Sequence, residues 1–192
     1  MAYSGDNDEL TIIESIRQGD KPAMKRLYDR YAGYLAGVCS RYIACDDDIW
    51  DILQDSFIII YTSLPGFEYR GAGSLQAWMS RIVINECLKF LKDRIRFSRI
   101  DNDVDIPDND NYDDDDDDMD VADIPQSVIL DELRALPAGY RTVFNLYVFE
   151  NKSHKEIASI LDIKENTSAS QLHKAKKMLA GRLMRYKSEV YE

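Results

Sequence analysis

Trp78, Arg81, Asn85, Lys89 and Lys92 recur at steps of three and four, so a helix would carry them on one continuous face. That face combines an indole, an amide and three cations. Aromatic rings stack unpaired bases and cations follow phosphates, the pairing that single-strand capture needs. The segment Phe67-Glu68-Tyr69-Arg70-Gly71-Ala72-Gly73-Ser74 lies just before it. A glycine-bearing loop beside such a face can form a pocket for a flipped base, which makes Tyr69 and Arg70 candidates too. For Trp78 alone, packing in a core is an equal alternative.

A second group lies near the end of the chain. Ser153-His154-Lys155-Glu156 is a capping box, in which Ser153 accepts from the Glu156 N–H and the glutamate reaches back. Ile157, Ala158, Ile160 and Leu161 are the packing residues of a short helix, and Ala158 is small where another helix must cross. Asp162 to Asn166 is a turn of suitable length, and Thr167 is placed to cap a second helix running from Ser168 to about Tyr186. Leu172, Ala175, Met178 and Leu179 would face inward. Ser168, Ala169, Ser170, Gln171, His173 and Lys174 would face outward, with Lys176, Lys177, Arg182, Arg185 and Lys187 following. Short polar and basic side chains at the start of a second helix suit base edges and phosphates in a major groove. The plain alternative is a two-helix corner in a small bundle. A third face, Asp51, Gln54, Asp55 and Ile58, has helical spacing as well, and a solvated surface is its plain reading.

The elements that must carry these groups are helical. Pro22 follows Asp20 in a first helical turn, where its missing N–H costs nothing. Met24, Leu27, Tyr28, Tyr31, Leu35, Val38 and Tyr42 then mark an apolar face. Asp46, Asp47 and Asp48 suit the positive end of the next helix, whose buried face would be Ile49, Leu53, Phe57 and Ile60. Leu64-Pro65-Gly66 breaks it, and Ser74 can cap a helix reaching about Arg96. Before Asp20 the pattern is weak (Leu10, Ile13, Ile16) and no function attaches to it. After Pro125, Val128, Ile129, Leu133, Tyr140, Val143, Phe144 and Tyr147 resume the helical period. No strand alternation rises above noise. The fold class expected is all-α, with two small helical domains joined by an acidic flexible linker.

Charge divides the chain the same way. The formal charge is −11 over 192 residues, yet residues 101–123 hold thirteen Asp and no Lys, Arg or Glu. Without that stretch the remainder is +2, so net charge does not exclude nucleic acid. Like charges at that density repel, which reads as a tether. The expected domains are residues 1–100, an acidic linker over 101–126, and 127–192. Phe57 to Tyr61 is the longest apolar run, far short of a membrane span. Acidic residues Asp6, Asp8 and Glu9 stand where a leader peptide needs positive charge, so the chain reads as cytoplasmic. Cys39, Cys45 and Cys87 form no CxxC pair and lie far from His154 and His173, so they read as idle thiols with no metal site. No nucleophile–base pair or phosphate loop appears, and neither cofactor nor small-molecule substrate is expected.

Four separated motifs carry a family resemblance. Leu136-Pro137-Ala138-Gly139-Tyr140-Arg141-Thr142-Val143-Phe144, Ser153 to Ala158, and Thr167 to Lys176 resemble region 4 of the extracytoplasmic-function (ECF) sigma factors, with patterns LPxxxRxxF, SxxEIA and GTVxSRLxRAR. Asp51-Ile52-Leu53-Gln54-Asp55-Ser56-Phe57 resembles region 2.2, DLxQExF. Ser74 to Asn85 resembles regions 2.3 and 2.4, SFxxWLxRIAxN. Asn166, Ser168, Ala169 and Gln171 depart from the pattern, where Gly, Val, a basic residue and Arg are usual.

The resemblance implies a promoter-specific initiation factor with three contact sets. Asp51, Gln54, Asp55 and Ile58 would dock on the β′ clamp of core RNA polymerase, with the β flap as a further contact of the protein. Tyr69, Arg70, Trp78, Arg81, Asn85, Lys89 and Lys92 would open and read the −10 element. Arg141, Thr167, Ser168, Ala169, Ser170, Gln171, His173, Lys174 and Lys177 would hold the −35 duplex. An anti-sigma factor is an implied partner, and bond making would belong to the polymerase. In this family the linker threads polymerase channels, where thirteen carboxylates could imitate RNA. Two rivals stay open: a transcription factor that never joins the polymerase, and an adaptor that only sequesters an anti-sigma partner. A metal-dependent nuclease built on the Asp run is weaker still, since metal sites need carboxylates held rigidly.

Overall fold

A computed structural model describes the backbone of residues 4–101 and 124–191 and the side chains of residues 8–92 and 124–189. The described residues contain eight α-helices and no strand. The chain divides into two compact units, residues 1–90 and 91–192. The acidic run over residues 102–123, with the flexibility expected of it, lies outside the described residues.

In the first unit α1 (Ser4–Arg17), α2 (Lys21–Ser40), α3 (Asp46–Ser63) and the part of α4 (Ser74–Asp101) up to residue 90 surround one core, with a 3-10 turn at Leu64–Gly66. Leu27, Leu35, Leu53, Ile60, Leu75 and Met79 are fully buried there, and each such side chain contributes about 1.5–3 kcal/mol. All four expected residues of the α3 inner face, Ile49, Leu53, Phe57 and Ile60, are buried. Along α2 the expected face is narrower: Tyr28 lies 40% exposed, its ring tilted against Phe57 at 4.7 Å. Asp20 stands at the N-cap of α2 but makes no cap hydrogen bond, because its carboxylate accepts from Arg26 at 3.2 Å.

The weak N-terminal pattern is a packed helix. Ile12, Ile13 and Ile16 of α1 are buried, whereas Leu10 is 37% exposed. Tyr31 on α2 donates its hydroxyl hydrogen to Glu9, and Arg17 donates to the Phe67 carbonyl. Burial and the Glu9 bond both push the Tyr31 hydroxyl pKa up. Thus α1 braces α2 and the loop before α4. Cys39 on α2 and Cys87 on α4 are buried with sulfurs 3.3 Å apart, and Cys45 is exposed. The hydrogen bond to Cys39, then burial, push the Cys87 thiol up, so it stays protonated.

Two helix starts differ from expectation. Ser74 does not cap α4; it is the first helical residue, its hydroxyl accepts from the Arg70 N–H at 3.2 Å, and the helix continues past Arg96 to Asp101. In the second unit the long helix begins at Glu165, so Thr167 sits inside its first turn rather than capping it. The helix starts three residues before the expected Ser168, after Asp162 has ended α7 in the left-handed conformation (φ 56°, ψ 49°). Aspartate tolerates this better than most residues because its short side chain can bond locally.

That unit comprises α5 (Gln126–Arg134), α6 (Ala138–Val148), α7 (His154–Leu161) and α8 (Glu165–Tyr191). One apolar cluster joins Leu133, Leu136 and Ala175, with Tyr140, Phe144 and Met178 against it. A second joins Ile124, Leu179 and Leu183, with Val128, Ile129, Phe144 and Tyr186 packed on it. Among the described residues no helix is long and apolar enough to cross a membrane, and no group of three or more His, Cys, Asp or Glu residues is placed to hold a metal ion.

Candidate nucleic-acid and protein interfaces

The outer face of α3 is set by its inner one. With Ile49, Ile52, Leu53, Ser56, Phe57 and Ile60 turned into the core, Asp51, Gln54, Asp55 and Ile58 are all exposed. Ile58 is 57% exposed. Trp50, absent from the sequence reading, is 54% exposed and continues the strip one turn earlier, at the i, i+4, i+8 positions with Gln54 and Ile58. The signal was available, since Trp50 falls off the 49, 53, 57, 60 stripe. An exposed indole and isoleucine two helical turns apart, with Gln54 between them and Asp47, Asp51 and Asp55 beside them, make an apolar strip with an acidic border. Such a strip fits a basic amphipathic helix, and buried tryptophan is a frequent anchor of interfaces.

The loop before α4 is held by conformation as much as by contacts. Gly71 and Gly73 have φ of 109° and 80°, values that side chains with a Cβ rarely adopt. The Ser74 N–H closes the turn on the Gly71 carbonyl at 3.1 Å. Arg70 is exposed and its guanidinium bonds Glu68 at 2.8 Å, while Tyr69 is half-buried. On α4, Arg81, Asn85, Lys89 and Lys92 are exposed together, so the expected cationic face exists as a surface. Lys89 pairs loosely with Glu86 at 3.3 Å. Trp78 shares both of its readings. It is half-buried, with its ring 4.8 Å from that of Phe67, which leaves part of the indole available beside the loop.

The second unit's corner is built from polar contacts. The Ser153 N–H donates to Glu156 at 2.8 Å and the Glu156 N–H returns to the Ser153 hydroxyl at 3.3 Å, completing the capping box. These bonds hold the Glu156 carboxyl below its usual range. His154 stacks on Tyr147 at 4.9 Å and its Nδ1 lies 3.0 Å from the Ser168 hydroxyl, which ties α6 and α7 to the start of α8.

Those ties correct part of the expected outward face. Ser168 and Ser170 are buried, not exposed: Ser168 bonds His154, and Ser170 donates to the Thr167 carbonyl at 3.0 Å. Gln171 leans on the first turn of α6, its amide oxygen 3.6 Å from where a Gly139 Cβ would stand. Thr167, Ala169, His173 and Lys174 are half-buried and Lys177 is exposed. Arg141 is only 5% exposed, and its guanidinium donates to the Arg134 and Leu136 carbonyls, locking the α5–α6 turn. Burial first, then the Arg134 charge, pull its pKa down. Arg141 thus lies inside the unit rather than on its surface. At the other end of α6, Tyr147, Val148 and Phe149 form an apolar patch, each about two-fifths exposed, that the sequence reading did not single out.

Comparison with known proteins places these surfaces in context. The model of Sigma-70 region 2 matches residues 27–97, and the model of Sigma-70, region 4 matches residues 126–179. The chain is 30% identical over 191 residues to the ECF RNA polymerase sigma-E factor of Haemophilus influenzae, covering 91% of this chain and 95% of that one. It is 27% identical over 176 residues to the RNA polymerase sigma-H factor of Pseudomonas aeruginosa, covering 88% and 90%. A solved structure of the sigma factor RpoE from Bartonella quintana, in complex with the anti-sigma factor NepR, aligns with a TM-score of 0.47 at 20% identity, covering 83% of this chain and 96% of that one.

Proposed function

The chain belongs to the extracytoplasmic-function subfamily of sigma-70-type RNA polymerase sigma factors, and from that premise we propose how its surfaces divide the work. As a sigma factor of this type it directs promoter-specific transcription initiation by binding core polymerase and reading −10 and −35 elements. We assign residues 1–100 to core and −10 binding, 101–126 to the linker and 127–192 to −35 binding.

The observation that carries the residue assignments is the exposed strip on α3. Asp51, Gln54, Asp55 and Ile58 meet the β′ clamp, and Trp50 extends the contact. Tyr69, Arg70, the open part of Trp78, Arg81, Asn85, Lys89 and Lys92 take the opened −10 strand, the aromatics by stacking and the cations on phosphates. Thr167, Ala169, Gln171, His173, Lys174 and Lys177 face the −35 duplex, while Arg141, Ser168 and Ser170 hold α8 at the angle this requires. The patch at Tyr147 to Phe149 suits the β flap. Because the two readers share a chain, each raises the other's local concentration on one promoter. The protein performs no catalysis itself, works in the cytoplasm beside the polymerase, and has an anti-sigma factor as its regulator.

Run-off transcription with purified core polymerase tests the scheme. The full chain should start transcripts at a subset of promoters from its own genome, and Trp50→Ala with Ile58→Asp should remove them. Failure of the wild-type chain to start at any such promoter would defeat the assignment.

A further inference from the structure

The first helix is packed, yet none of the assigned surfaces uses it. Ile12, Ile13 and Ile16 are buried, Tyr31 donates to Glu9, and Arg30 bonds Asp8 at 3.0 Å, which seats α1 on α2. Arg17 is its last residue. Just beyond, the Gly19 N–H donates to the Ile16 carbonyl at 3.0 Å and the Asp20 N–H to the Ser15 carbonyl at 2.9 Å, so the helix ends at a fixed point. From there the Arg17 guanidinium reaches across 50 positions of sequence to donate to the Phe67 carbonyl.

Phe67 is where the glycine loop begins. Its N–H donates to the Leu64 carbonyl at 3.0 Å, and its ring lies 4.8 Å from that of Trp78. At the far end the Ser74 N–H donates to the Gly71 carbonyl at 3.1 Å, and the Ser74 hydroxyl accepts from the Arg70 N–H at 3.2 Å. With Gly71 and Gly73 inside it, the segment gains little rigidity from its own backbone. Its position therefore depends on what holds its two ends. The exit is fixed by α4, and the entry by the Phe67 ring and by Arg17. A guanidinium suits this task because its planar fork presents several donors in fixed geometry.

We propose that Arg17 is a positioning residue for strand capture: by holding the Phe67 carbonyl it sets where Tyr69, Arg70 and Trp78 stand, and it does so without touching DNA. The capture role rests on the −10 assignment of those three residues; the placement of the loop by Arg17 does not.

Two variants test this. Arg17→Met keeps the apolar stem and removes the donors, whereas Arg17→Lys keeps one. In the free full chain, hydrogen exchange of the Phe67 amide should quicken about tenfold in Arg17→Met while the Leu35 and Leu53 amides keep their rates. An unchanged Phe67 amide, or equal acceleration in the core, would overturn the placement. With core polymerase, the DNA probe is a fragment of a promoter at which the chain starts, its non-template −10 strand left unpaired. Arg17→Met should bind it about five- to tenfold more weakly, and Arg17→Lys should recover most of that loss. Affinity for core should stay within about twofold of wild type, and the loss should be the same near 0.1 and 0.3 M salt. Full DNA affinity in Arg17→Met would overturn the capture role. So would a matching loss of core affinity, which would make Arg17 a general support, or a salt slope lower by about one, which would make it a phosphate contact. If Trp78→Ala with Arg81→Ala bound the fragment as wild type does, the −10 assignment would fall, while the exchange result would still decide what Arg17 holds.

Discussion

The strip on α3 and the first turns of α8 were both expected to face outward, and only one of them does so throughout. α3 packs along a single face, Ile49, Ile52, Leu53, Ser56, Phe57 and Ile60, so the opposite strip of Trp50, Asp51, Gln54, Asp55 and Ile58 goes to solvent. The start of α8 is packed from two sides. α7 takes Ser168 through His154, and α6 takes Gln171 over Gly139. A periodic pattern fixes exposure where one neighbour exists; where two neighbours meet a helix, polar residues can turn inward by finding partners of their own.

The largest effect should separate surface from support in the first unit. Ile58→Asp should weaken core-polymerase binding by about 2 kcal/mol, roughly 30-fold, with the thermal midpoint unmoved because the side chain is mostly in water. A drop in thermal midpoint would mean that α3 has a second packed side after all. In the second unit the paired changes should trade places. Arg141→Ala should cost about 2 kcal/mol of stability, since it leaves the Arg134 and Leu136 carbonyls buried without their donor. Lys174→Ala should keep the midpoint, weaken duplex binding across all sequences, and lower the salt slope by about one. Equal stability losses from both would erase the distinction between reader and scaffold. The smallest effect concerns the capping box. Glu156 is held below the usual carboxylate range, so its contribution is present above its unfolded pKa and fades as pH falls through the lower folded value. The stability gap between wild type and Glu156→Gln should therefore narrow below about pH 4.5; a gap that stays constant down to pH 3 would break the account.

Much of this was legible without coordinates. The inner face of α3, the cationic face of α4 and the capping box at Ser153 are local patterns, and each stands as expected. What escaped depends on contacts far apart in the chain. Ile12, Ile13 and Ile16 give a short and irregular stripe, and only α2 shows why they are buried. Arg141 belongs to a motif resembling a DNA-binding module, yet its guanidinium is consumed by carbonyls five and seven residues away. The start of α8 lies three residues before the expected one, next to a left-handed Asp162, and aspartate does not announce that conformation as glycine would. Trp50 is legible by the same local rule, since it falls off the 49, 53, 57, 60 stripe and is exposed.

The chain has two tryptophans, and they occupy different surfaces. Trp50 stands in solvent on the α3 strip; Trp78 leans on Phe67 beside the glycine loop. Their emission is therefore separable in principle: one indole is accessible to a soluble quencher and senses water, the other is shielded and senses a neighbouring ring. Capture of the polymerase and capture of an unpaired strand would each report through its own chromophore, so the order of the two events can be timed without attaching a dye.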